Sequence, residues 1–135
     1  MMIEPETLIQ ALADGTRLRA LVLMAREGSL CVCELTAALD VPQPKMSRHL
    51  AALRGLGIVE DARIANRVFY RLKPGLPDWA RRALDQLADG LCKTGDLAVI
   101  DQRLRGFPTR PGERPAFRPD GSAAEAGRED VDRAV

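Results

Sequence analysis

The stretch that decides the fold is CVCELTAALDVPQPKMSRHLAALRG, Cys31 to Gly55. Its first part, residues 31–39, reads as a short helix with Leu35, Ala38 and Leu39 apolar, and Asp40-Val41-Pro42 then makes a tight connection. A second helix runs over 43–55, with Met46, Leu50 and Leu53 recurring at spacings of four and three on an inward face. Pro44 falls in its first turn, where a missing amide proton costs nothing. Two short helices joined by so tight a turn form a helix-turn-helix.

Downstream, residues 58–72 change character: Val68, Phe69 and Tyr70 are strand formers and Asn66 sits where a hairpin tip turns. The spacing predicts strands over 58–63 and 67–72, and a helix-turn-helix followed directly by a hairpin is a winged helix. Upstream, helices are expected over 5–13, with Leu8, Ile9 and Leu12 on one face, and over 16–27, capped by Asp14 and ended by Gly28. A long helix over 77–91 carries a narrow seam of Ala80, Leu84, Leu87 and Leu91. Such a seam suits packing on a second helix, either its own copy in a dimer or the first helix of the same chain. A shorter helical segment follows over 96–104. Beyond Gly106 four of the nine prolines fall in a stretch without apolar periodicity, so residues 106–135 read as a disordered tail and 1–105 as one domain. The fold class is mostly α with a small β-hairpin, a winged helix-turn-helix expected as a homodimer.

The chain carries 20 basic and 19 acidic residues, so its total charge says nothing about partners. The distribution does: between Gln43 and Lys73 seven Lys or Arg face only two acids, Glu60 and Asp61. An ordinary solvated face would account for such a stretch taken alone; on this motif it suits neutralisation of DNA phosphates. No run approaches the roughly 20 apolar residues of a membrane span, and the acidic N-terminus, MMIEPETLIQ, lacks a signal-peptide layout. A cytoplasmic protein is expected. In that reducing compartment Cys31, Cys33 and Cys92 are read as free thiols rather than structural disulfides.

Gln43, Lys45, Ser47, Arg48 and His49 lie near the start of the second helix, on or beside its outer surface. That part of such a motif meets base edges in the major groove: Gln reads adenine, Arg or Lys reads guanine, and Ser or His holds phosphate. His49 is the only histidine. A zinc hydrolase needs several ligands and a catalytic triad needs an acid and a nucleophile beside its His, so no enzyme is expected; a phosphate or packing contact suits His49 better. Cys31 and Cys33, two residues apart at a helix start, can face one ion only if the first turn is irregular. Thiolate selects soft ions, although small buried cysteines are the common alternative.

The segments ALADGTRLRALVLMAREGSLCVCEL, QPKMSRHLAALRGLGIV and RVFYRL resemble the ArsR/SmtB family of metal-sensing winged-helix repressors, over roughly Leu8 to Leu91. The resemblance implies a homodimer, built on the first and long last helices, that binds double-stranded operator DNA at an inverted repeat and leaves it when metal binds. It assigns recognition to Gln43, Lys45, Ser47, Arg48 and His49, and the wing to Arg63, Asn66 and Arg67. The arsenic-repressor branch carries Cys-Val-Cys-x-x-Cys, which Cys31 and Cys33 match, whereas Thr36 stands in the third position. Pro42 also replaces a frequent capping Ser. The inducer implied is As(III) or Sb(III), with Cd(II) or Pb(II) behind them; the last helix has Asp85 and Asp89 but no histidine, which counts against the zinc and nickel branches. Cys92, the one other cysteine, is the candidate third ligand, from either subunit.

Overall fold

A computed structural model describes residues 3–107 of the chain. Its helices are α1 (Pro5–Leu12), α2 (Gly15–Glu27), α3 (Val32–Leu39), α4 (Gln43–Gly55), α5 (Asp78–Thr94) and α6 (Asp96–Arg105), and its strands are β1 (Leu30–Cys31), β2 (Val59–Ile64) and β3 (Arg67–Leu72). The winged helix-turn-helix is formed as the pattern predicts. The tail expected from 106 onward lies, from residue 108, outside the described residues.

Helix α2 is the centre of the fold. Asp14 caps it, its Oδ2 accepting from the amides of Thr16 (2.8 Å) and Arg17 (3.1 Å), and five successive residues, Ala20 to Met24, are buried. A helix apolar on all sides for more than a turn must be surrounded, and α1, α3, α4, α5 and β3 all pack on it. The Arg17 guanidinium turns back to donate to the carbonyls of Ala11 (3.0 Å) and Gln10 (2.9 Å), which closes the α1–α2 turn.

The sheet departs from the expected two-stranded hairpin. It has three antiparallel strands in the order β1-β3-β2, with Leu30 paired to Tyr70 and Cys31 to Phe69. Gly28, at φ +89°, makes the left-handed turn that leads the chain from α2 towards this edge. Two residues are too few to show an alternating pattern, so β1 reads in the sequence as the start of α3. In the hairpin itself Glu60 pairs with Arg71 and Ile64 with Arg67, and the tip is Ala65-Asn66. Between α3 and α4, Asp40 adopts the left-handed conformation (φ 55°) that Asp tolerates better than most residues, and the Val41 amide returns to Thr36 O at 3.3 Å.

Helix α6 is more than an appendage. Leu97, Ile100 and Leu104 are buried, and the helix packs against α3 and α5. Arg19 of α2 is ion-paired with Asp96, Arg26 with Asp101 at 3.3 Å, and Arg103 donates to Ala38 O at the end of α3 (3.5 Å). Gly95, at φ +84°, makes the corner between α5 and α6. Two apolar residues expected inside stay outside: Ile9 of α1 is 67 % exposed and Leu87 of α5 36 % exposed. The other residues of the seam, Ala80, Leu84 and Leu91, are buried within the chain.

The hold on α6 is apolar first and ionic second. Ile100→Ala should lower the urea unfolding free energy by about 2–4 kcal/mol, the usual cost of a truncated core aliphatic. Arg26→Ala, which breaks a partly exposed pair, should cost under ~1 kcal/mol.

Candidate nucleic-acid interface and thiol pair

The α4 helix sorts its residues by its own period. Met46, Leu50 and Leu53 are buried, while Gln43, Lys45, Ser47 and Arg48 are exposed. Pro42 precedes the helix and supplies no side-chain cap; the Met46 amide bonds its carbonyl at 3.0 Å. On the wing, Arg63 and Asn66 are exposed and Arg67 is half-buried. The two acids of this region are each engaged by an arginine: Arg54 donates to Asp61 at 2.9 Å and Arg71 Nε to Glu60 at 2.7 Å. Of the other basic residues of this region, Lys45 and Arg48 lie on α4, Arg63 and Arg67 on the wing and Lys73 just after β3. Burial raises the Tyr70 pKa above its ordinary value, and Asp61 adds to the rise against the opposing charge of Arg54.

His49 is not placed with the exposed set. Its side chain is 16 % exposed, and Nε2 lies 3.7 Å from Asp14 Oδ2. Burial by itself would raise the Asp14 pKa. The Arg17 amide, the charge of His49, the Thr16 amide and the Arg17 guanidinium together outweigh it and hold the carboxyl below its ordinary value.

The cysteine segment is where the strand turns into the helix. Cys31 is wholly buried and has extended backbone angles (φ −78°, ψ 158°), so it ends β1 and caps α3 at once. Its Sγ accepts from the Glu34 amide at 3.3 Å, and Glu34 Oε1 reaches back to accept from the Cys31 amide at 3.0 Å. This is a capping box with sulfur in the place usually taken by a hydroxyl. Cys31, in the extended N-cap position, and Cys33, in the first turn, have Cα atoms 5.3 Å apart, and their sulfurs are joined in a disulfide. The expectation of free thiols at these two positions is thus corrected. The argument from a reducing compartment speaks to the cell, whereas this turn sets the two sulfurs side by side, with Cα atoms at a separation that a disulfide spans.

Cys31 packs with Ile64 and Phe69 in a small core separate from the main one, with Cys33 and Ala65 against it. The cysteine pair therefore touches the wing as well as α3. Thr36, in the position of the missing third cysteine, donates its hydroxyl to Val32 O at 2.8 Å. Cys92 is a free, exposed thiol in the last turn of α5. Among the described residues, no three His, Cys, Asp or Glu side chains of one chain gather to hold a metal ion. The capping role of Glu34 was missed by sequence reasoning, although the Cys-x-x-Glu spacing signals it.

An exposed polar helix face, a basic hairpin and a sulfur pair at their junction define a winged-helix regulator. Residues 14–61 match the family described as "Bacterial regulatory protein, arsR family". The chain is 51 % identical over 110 residues, covering 81 % of itself and 96 % of its relative, to the "Arsenic resistance transcriptional regulator ArsR2" of Pseudomonas putida. It is 48 % identical over 82 residues, 61 % of itself and 70 % of its relative, to the "Arsenical resistance operon repressor" of Escherichia coli. Among solved structures, the "AntR antimony-specific transcriptional repressor" superposes with a TM-score of 0.54 at 33 % identity, covering 69 % of this chain and 78 % of that one. The chain belongs to the arsR family of bacterial regulatory proteins.

Because sulfur is the α3 cap, the cap and the thiol separate by substitution. Cys31→Ser should leave the unfolding midpoint of the reduced protein near wild type, since Ser is a strong N-cap. Cys31→Ala should lose about 0.5–2 kcal/mol, measured by urea denaturation in a thiol reductant.

Proposed function

We propose that this chain is a cytoplasmic, homodimeric transcriptional repressor that releases its operator when trivalent arsenic or antimony takes its cysteine thiolates. The observation that carries the reading is the convergence of the Cys31 and Cys33 sulfurs at the start of α3. The family membership and the arsenic-resistance names of its relatives support it.

On DNA, Gln43, Lys45, Ser47 and Arg48 of α4 enter the major groove of each half of an inverted repeat. Arg63, Asn66 and Arg67 of the wing hold the flanking backbone. The exposed Ile9 and Leu87, on α1 and α5, serve the dimer contact. Sensing uses the reduced chain, in which the Cys31–Cys33 bond has accepted two electrons and two protons from a thiol reductant. Trivalent arsenic as As(OH)3 then exchanges its hydroxyls for cysteine sulfurs, releasing one water for each S–H consumed. Cys31 and Cys33 supply two sulfurs and Cys92 the third. Since Cys92 does not join the pair within one chain, the third sulfur is taken to come from the partner subunit. Thr36 is occupied by its bond to Val32 O and is no substitute.

The geometry also supports a route from ion to DNA. A Cys31 sulfur bonded to arsenic is a poorer acceptor for the Glu34 amide, which loosens the first turn of α3. An added atom between Cys31 and Cys33 crowds the small core of Ile64 and Phe69, which carries the wing. Both ends of the DNA-reading surface are then disturbed from one point, which is the differential interaction that coupled binding requires.

A second reading is supported by the Cys31–Cys33 bond itself: the same pair senses oxidants, with an oxidised form of altered operator affinity. Titrating operator release separately with arsenite, antimonite, Cd(II), Pb(II) and peroxide separates the two. Release by arsenite or antimonite at the lowest concentrations supports the first reading, and release by peroxide alone supports the second. Cys31→Ser and Cys33→Ser should abolish the arsenite response, and Cys92→Ser should weaken it. A wild-type response in Cys92→Ser would remove Cys92 from the site. Operator affinity should fall steeply with salt, and Arg48→Ala and Arg67→Ala should each weaken it without unfolding the domain. Wild-type affinity in both variants would place the DNA surface elsewhere.

A further inference from the structure

The recognition helix carries one residue whose chemistry faces away from DNA. His49 follows Arg48 on α4 and precedes the buried Leu50, and the helix turns its imidazole inward rather than toward the groove. Nε2 is buried and has no hydrogen-bond partner among the described residues. A buried ring nitrogen left so costs free energy unless a polar group compensates it. The Asp14 carboxylate, at 3.7 Å, is beyond hydrogen-bond length but within ion-pair reach.

Asp14 is itself held firmly. It caps α2 through the Thr16 and Arg17 amides, and the Arg17 guanidinium beside it ties α2 to the end of α1. The carboxyl is also kept in its charged form, as its lowered pKa indicates. A rigid anion therefore stands at the α1–α2 turn, opposite the middle of the recognition helix. The Leu50 and Met46 contacts fix how deeply α4 sits, but an apolar face allows a helix to roll. A directional contact at one point of the helix opposes that roll.

We propose that His49 is a positioning residue for operator binding: its imidazole pairs with the Asp14 carboxylate and sets the roll of α4 against the α1–α2 turn, without touching DNA. The inference rests on the operator-binding reading above and replaces the phosphate contact expected for His49. With α4 rolled correctly, Lys45, Ser47 and Arg48 point into the groove together. With the pair broken, the same side chains remain but their directions scatter.

The test uses the full-length reduced protein and a duplex selected by it from a random-sequence DNA library. Asp14→Asn keeps a good N-cap for α2 while removing the charge, and His49→Gln keeps a polar side chain of similar reach. Each variant should bind the selected duplex roughly tenfold more weakly. The double variant should bind no worse than either single one. Urea midpoints should stay near wild type, and the slope of log affinity against log salt should not change, whereas Arg48→Ala should reduce that slope by about 0.9. His49 is the only histidine, so its ring protons give a single set of NMR resonances; these should shift in DNA-free Asp14→Asn. If His49→Gln flattens the salt slope while Asp14→Asn binds as wild type, His49 holds a phosphate and the proposal is overturned. Losses that multiply in the double variant, or unmoved ring resonances, overturn it as well. A library that yields no preferred duplex refutes the operator reading itself, and this inference falls with it.

Discussion

The structure depends on the change of backbone direction at Cys31. At that residue an antiparallel pairing with Phe69 stops and the α3 helix begins, and one side chain serves both. Its sulfur caps α3, its amide is held by Glu34, and its body fills the small core behind the wing. Helix-turn-helix and wing are therefore joined at this buried position.

The other end of α3 is held just as firmly. Asp40 in the left-handed conformation stops the helix, and Arg103 of α6 reaches the Ala38 carbonyl. Leu35 and Ala38 are buried between. The helix thus has little freedom to translate, and a chemical event at its N-terminus is expressed locally, in the cap and in the small core. This favours a sensing mechanism that works on the first turn and the wing rather than one that slides α3 bodily.

Much of this was legible in the sequence because the period of the apolar residues is unambiguous where it matters. Met46, Leu50 and Leu53 dictate which side of α4 is buried, and so which side offers Gln43, Lys45, Ser47 and Arg48. Asp14 before Thr16 announced the start of α2, and Asn66 lies at the hairpin tip as expected. Three things escaped for physical reasons. Strand β1 is two residues long, and a partner far along the chain rather than its own pattern makes it a strand. The cysteine disulfide follows from a local turn that no compartment argument addresses. His49 was grouped with the DNA-facing residues because it adjoins Arg48, yet one residue is about 100° of helix rotation, enough to turn its ring inward toward Asp14.

The charges around the hairpin are paired at its base. Glu60 and Asp61 sit on β2, and had they faced the groove they would have opposed DNA. Instead each is engaged by an arginine, Arg71 across the strand pair and Arg54 from the end of α4. These pairs bind the base of the wing to β3 and to the recognition helix, so the same contacts that neutralise the acids also stiffen the platform. Lys45 and Arg48 stand exposed on the outer face of α4. A disturbance in the Cys31, Ile64 and Phe69 core acts beyond this braced base, at the Ile64-Ala65 end of the wing.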